Sequence, residues 1–177
     1  GFYIMQDSAA AEFEMAEYWY IKPGLEEQVK DFFAQKKEPE VVLQLDIPEK
    51  DFNIAGKGSS ELKNLLKRLG VNSEVLRRIA VASYEAEINV AAHSRGGKMC
   101  SNVYDNLIYM QFRDNGPGID DIEQAMIPGF STADDLVREL GFGAGLGLPN
   151  IQKNSDALHI TSALGNSTLV EIIICFT

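Results

Sequence analysis

Glu85-x-x-x-Asn89-x-x-x-His93 sets three polar side chains four residues apart. That spacing lines them along one face of a helix. An amide oxygen such as that of Asn89 can ligate a hard cation such as Mg2+. A carboxylate one turn earlier, Glu85, can sit beside the same cation as a proton acceptor. A solvated polar stripe on an amphipathic helix has the same pattern, so spacing alone leaves both readings open. Glu87 lies off this face and reads as an ordinary surface charge.

Asp114-Asn115-Gly116-Pro117-Gly118 follows an apolar run directly. A carboxylate at a strand end can accept a hydrogen bond from an exocyclic amine such as that of adenine. Two glycines let the backbone approach a flat ligand. Asn-Gly and Pro-Gly are equally common in plain turns. Further on, glycine takes every second position of Gly141-Phe-Gly-Ala-Gly-Leu-Gly147. Such a loop can aim backbone N–H groups at phosphates, and a following helix adds a favourable dipole. No Lys-Ser/Thr pair follows, so it is not a Walker A loop, and its spacing is not GxGxxG. Phe142, Leu146 and Leu148 are too apolar for a merely solvated linker. Gly56-Lys-Gly-Ser-Ser60 resembles a phosphate loop only superficially, because no glycine stands at Asp51.

These residues need elements to hold them. Residues 41–47 alternate as a strand ended by Pro48. A helix over 54–69 stops at Gly70, and Ser73 is a fair N-cap for a second helix running to His93. Val75, Ile79, Ala82, Ala86 and Val90 form its buried stripe. Strands follow at 98–103 and 107–113, then the tight loop 114–118 and a short helix at 122–127. Residues 128–147 are polar and glycine-bearing, a length of loop usually kept for function or disorder. A helix at 148–155 and a hairpin, 158–163 with 168–176, end the chain. Hairpin-linked strands mixed with helices predict an α+β fold: a two-layer sandwich with helices on one face of a mostly antiparallel mixed sheet. Residues 1–37 stand apart as an N-terminal extension ahead of a domain at 38–177. A helix is expected at 25–35; a lone leading Gly1 is a common remnant of tag removal, so part of the stretch could be vector-derived, with Met15 as a native start.

The chain has 177 residues, enough for one well-buried core. With 16 Lys+Arg against 26 Asp+Glu its net charge is −10, and no basic footprint for nucleic acid is visible. Cys100 and Cys175 make neither a disulfide framework nor a zinc motif, and two histidines exclude a multi-histidine metal site. No apolar run is long enough for a membrane span and no secretory leader is visible, so a cytoplasmic setting is expected.

Taken in order, the Asn-bearing helix, the Asp-x-Gly-x-Gly loop and the glycine run resemble the nucleotide-binding boxes of the GHKL (Bergerat-fold) ATPase/kinase superfamily. Gly165-Asn-Ser-Thr168 resembles its final box, and the likeness covers roughly residues 41–177. Glu85-x-x-x-Asn89 with His93, and Pro128-Gly-Phe-Ser-Thr132, look most like the bacterial anti-sigma-factor serine/threonine kinases. The resemblance implies a Mg-ATP-dependent kinase. Glu85 would be the general base and Asn89 the Mg2+ ligand. Asp114 would anchor adenine in a pocket shaped by Gly116 and Gly118. Gly143, Gly145, Leu146 and Gly147 would form the phosphate-contacting turn, and Thr168 would supply a hydroxyl on the adenine side. His93 matches a frequent His of the first box, with a packed core histidine as the other reading. The implied substrate is a serine on a STAS-like anti-sigma antagonist, and a sigma factor is the other implied partner. A homodimer is left open, and the extension could be an added element or a dimer arm. The competing classes are a nucleotide-dependent binding module without turnover and a slow, lid-gated ATPase.

Overall fold

A computed structural model describes residues 15–119, 121–128, 147–163 and 165–177. Its strands are β1 (Met15–Ile21), β2 (Val41–Ile47), β3 (Gly97–Val103), β4 (Leu107–Asp114), β5 (Ala157–Ala163) and β6 (Thr168–Cys175). Its helices are α1 (Glu26–Gln35), α2 (Lys57–Arg68), α3 (Ser73–His93), α4 (Ile122–Ala125) and α5 (Gly147–Asn154). The six strands form one sheet in the order β1-β5-β6-β4-β3-β2. Every neighbouring pair is antiparallel, so the sheet is not mixed among the described residues.

Alternation decides which side chains face the helices. Ile108, Met110 and Phe112 of β4 and Ile172 and Ile174 of β6 point to one face and are buried. There they meet Ile79, Ala82, Ala86 and Val90 of α3, Leu62 and Leu66 of α2, and Leu148 and Ile151 of α5. The α3 stripe is the one its 3.6-residue periodicity predicts at 79, 82, 86 and 90, while Val75 is only half-buried and Leu76 beside it is buried. Leu62 and Leu66 are fully buried, each worth about 1.5–3 kcal/mol against exposure. The two-layer α+β sandwich is therefore what the structure shows.

The N-cap of α3 differs from the expectation. Asn72, not Ser73, caps the helix: its Oδ1 accepts from the backbone N–H of Glu74 at 2.9 Å and of Val75 at 3.5 Å. Both residue types cap well. The extended backbone of Asn72 aims its side chain at the free amides, and Ser73 is already helical.

Residues 15–35, whose role the sequence left unread, have defined places. β1 pairs with β5 from Met15↔Ala163 to Ile21↔Ala157 and closes one edge of the sheet. α1 packs on the sheet face opposite the other helices, burying Val29 against Leu107, Ala157, Ile173 and Cys175. Beside it, Trp19 stacks on His159 with ring centres 3.8 Å apart and planes 14° off parallel. His159 Nδ1 lies 2.8 Å from Glu171 Oε1, and Tyr109 donates its hydroxyl to Glu171 Oε2.

Candidate functional site

α3 carries Glu85 and Asn89 on the turn-spaced face that the sequence indicated, both half-buried. Burial pushes the Glu85 carboxyl above its ordinary range, and a hydrogen bond from the Asn150 side chain on α5 partly offsets this. The first residue of α5, Gly147, lies against the same face. A Cβ built on it would stand 3.3 Å from Asn89 Oδ1 and 3.5 Å from Glu85 Oε2. A side chain at 147 would be tight against the Asn89 oxygen and in ordinary contact with that of Glu85. The end of the glycine run is thereby brought onto the carboxylate and the amide. Gly143, Gly145 and Leu146 lie outside the described residues. His93 is half-buried in the last turn of α3.

The second part of the site is at the end of β4. Asp114 Oδ1 accepts two backbone N–H bonds, from Gly116 and from Thr168, each 2.9 Å. Burial raises the Asp114 carboxyl, and those two bonds pull it partly back. Both of these donors are on Oδ1 rather than Oδ2. Gly118 has φ +88°, and a Cβ there would lie 2.1 Å from the Ala163 carbonyl oxygen. No side chain fits, so glycine is what allows the loop to press on the end of β5. Thr168 reaches Asp114 through its backbone amide. Its buried hydroxyl instead shares a 2.6 Å hydrogen bond with Ser162 Oγ. Ser162 also accepts from the Ile119 N–H at 2.7 Å. It thus ties β5, β6 and the Asp114 loop together. Residue type gave little sign of this beyond a small polar residue at an inward strand position.

Glu87 overturns the surface reading. It is 3% exposed. Its Oε2 and Oε1 accept from the N–H groups of Gly58 and Ser59 at 3.0 Å each. The carboxylate therefore fills the N-terminus of α2, where free amides and the helix dipole favour an anion. The phosphate-loop look of residues 56–60 has a physical basis, but the anion held is the chain's own. Glu87→Gln leaves one amide N–H facing an NH2 group instead of an oxygen. We expect a loss of about 1–3 kcal/mol in folding stability. Thermal unfolding of the variant measures it, and an unchanged Tm would count against the buried cap.

No cluster of three or more His, Cys, Asp or Glu able to hold a metal occurs among the described residues. Mg2+ is commonly bound through one or two protein oxygens, phosphates and water. Asn89 Oδ1, an uncharged hard donor beside the Gly147 backbone, fits that donor set. The described residues contain no helix long and apolar enough to cross a membrane.

The antiparallel sandwich thus carries Glu85 and Asn89 of α3 together with Gly147 of α5, and the Asp114 loop at the end of β4. No protein-family model matches the chain. Curated relatives do. The chain is 30% identical to "Serine/threonine-protein kinase RsbT" of Bacillus subtilis (strain 168) over 115 residues, 63% of this chain and 80% of the relative. It is 31% identical over 100 residues to "Anti-sigma F factor" of Caldanaerobacter subterraneus subsp. tengcongensis, 56% of this chain and 62% of that one. An "Anti-sigma F factor" of Bacillus licheniformis is 27% identical over 113 residues, 60% of this chain and 74% of the relative. The chain belongs to the anti-sigma regulatory kinase family of RsbT and these factors.

Proposed function

We propose that this chain is a Mg-ATP-dependent serine/threonine protein kinase with a GHKL-type nucleotide site, acting in the cytoplasm. Its substrate is a serine of a STAS-like anti-sigma antagonist, and a sigma factor is a second partner. The observation that carries the reading is the meeting of Glu85, Asn89 and Gly147 on one helix face. A polar stripe with no task gives no reason for the end of a glycine run to close on it.

Each group has one job in this reading. Asp114 Oδ2 accepts the exocyclic amine of adenine, while its Oδ1 is held by Gly116 and Thr168. The glycine run lays backbone N–H groups around the phosphates, as phosphoryl transfer needs positioning and charge stabilisation above all. Mg2+ held by Asn89 would neutralise phosphate charge. Glu85 takes the proton of the substrate serine as its oxygen attacks the γ-phosphorus and ADP departs. A carboxylate whose affinity for protons is raised by burial is a better base once ionised.

Incubation with labelled ATP and candidate STAS proteins is the direct test, with phosphoserine on the partner as the expected product. ATP binding without transfer to any partner would favour a nucleotide-gated binding module, and slow hydrolysis alone an ATPase. Asn89→Ala isolates the metal. The variant should lose the Mg2+-dependent tightening of ATP binding and change little without metal. Calorimetric titration with and without Mg2+ checks this, and an equal Mg2+ dependence in both proteins removes Asn89 as the ligand.

A further inference from the structure

α5 has eight residues. Two turns are too short to hold a position by helix propensity alone, so its place is set by what grips it. Leu148 and Ile151 are buried in the main core. Asn150 bonds Glu85 on α3. Two positions on, roughly the opposite side of the helix, Gln152 accepts a hydrogen bond from the Tyr18 hydroxyl of β1, 134 residues away in the chain. The same face of β1 carries Ala16 and Tyr20, which pack on the core that holds Ile122, as do Ala125 and Met126, and β1 lies against α4. The Glu123 carboxylate of α4 is close enough to act on the Tyr18 phenol. The elements on both sides of residues 129–146 thus converge on β1, the edge strand supplied by the N-terminal extension.

We propose that Tyr18 is a positioning residue for the nucleotide site: through Gln152 it holds α5 so that Gly147 and Asn150 stay seated on Asn89 and Glu85. Its functional half rests on the kinase reading above. Tyr18 touches neither nucleotide nor substrate serine. It acts by denying α5 a small roll or shift away from α3. Phosphoryl transfer is unforgiving of such shifts, since a displacement of about 1 Å can cost about 10²-fold in rate.

The test uses the full chain. Tyr18→Phe keeps the ring and its packing and removes only the hydroxyl. Gln152→Leu removes the acceptor. Each should speed amide exchange across residues 147–154 by about three- to tenfold, the scale of one net hydrogen bond. Each should lower kcat for phosphotransfer by a similar factor, with KM for the partner protein unchanged. The double variant should be no worse than the poorer single one, because both remove the same contact. Tyr109→Phe is the control. It also strips a hydrogen-bonded phenol hydroxyl from the sheet, but on the opposite face. It should leave α5 exchange and kcat as they are.

Exchange and kcat at wild-type values in Tyr18→Phe would overturn the proposal. So would equal effects of Tyr109→Phe, or additive effects of the two singles. If the wild-type chain neither binds ATP nor transfers phosphate, the kinase reading falls by itself. Exchange across α5 then still decides whether Tyr18 holds the helix.

Discussion

Glu85→Gln is expected to slow single-turnover phosphorylation of a partner serine by about 10²–10⁴-fold, the usual worth of a positioned base. ATP affinity should move by no more than a few-fold. Glutamine keeps the size of the side chain and can keep its contact with Asn150. It cannot take a proton from serine at any working pH. Removing a negative charge near the phosphates could only modestly help binding. The two measurements together separate a base from a binding residue. A polar stripe residue would change neither, so equal transfer rates would remove Glu85 from the mechanism.

Asp114→Asn should cost about 1–3 kcal/mol of ATP binding, the penalty of one unsatisfied buried group. The amide oxygen can still accept from Gly116 and Thr168, which turns the NH2 group toward the adenine amine, donor against donor. The same change should spare the unliganded fold. Burial raises the Asp114 carboxyl. The folded protein then holds that proton more tightly than the unfolded chain. This carboxyl's contribution to stability is fully present below the unfolded value, about 3.9, and is lost as pH rises through the folded one. Asparagine has no such titration. Unfolding of the two proteins without nucleotide, across the acidic range, should show the wild type losing more stability as pH rises. An ATP titration that is the same in both would end the adenine assignment.

Alternation with clear turn residues between made β2 to β6 legible. Residues 41–47 have the predicted strand bounds, and the 107–113 and 158–163 runs differ from theirs by one residue at one end. β1 alternates too, with Ala16, Tyr18 and Tyr20 toward the core. Its partner β5 lies about 140 residues away, and nothing local announces a pairing at that range. α1 was readable as a helix, but not that it would cover the far face. The site divides the same way. Side-chain chemistry at fixed spacing flagged Glu85, Asn89 and Asp114. Glu87 was misread because its partners are the backbone amides of Gly58 and Ser59, which no residue type displays. Thr168 meets Asp114 by an amide for the same reason. Asn150 and Gln152 carry no signal at all until α5 has been placed between α3 and β1.

The Trp19–His159 stack gives the protein an optical property of its own. The chain holds a single tryptophan, and that indole lies face to face with an imidazole on the neighbouring strand. Indole emission depends on what the ring touches, here the His159 ring of β5 and, edge-on, the Phe33 ring of α1. Fluorescence therefore reports on the seating of β1 against its neighbours, with no label and no background from other indoles. A partner or nucleotide that pries the edge strand from the sheet would shift the emission. One that clamps it would leave the emission as it is.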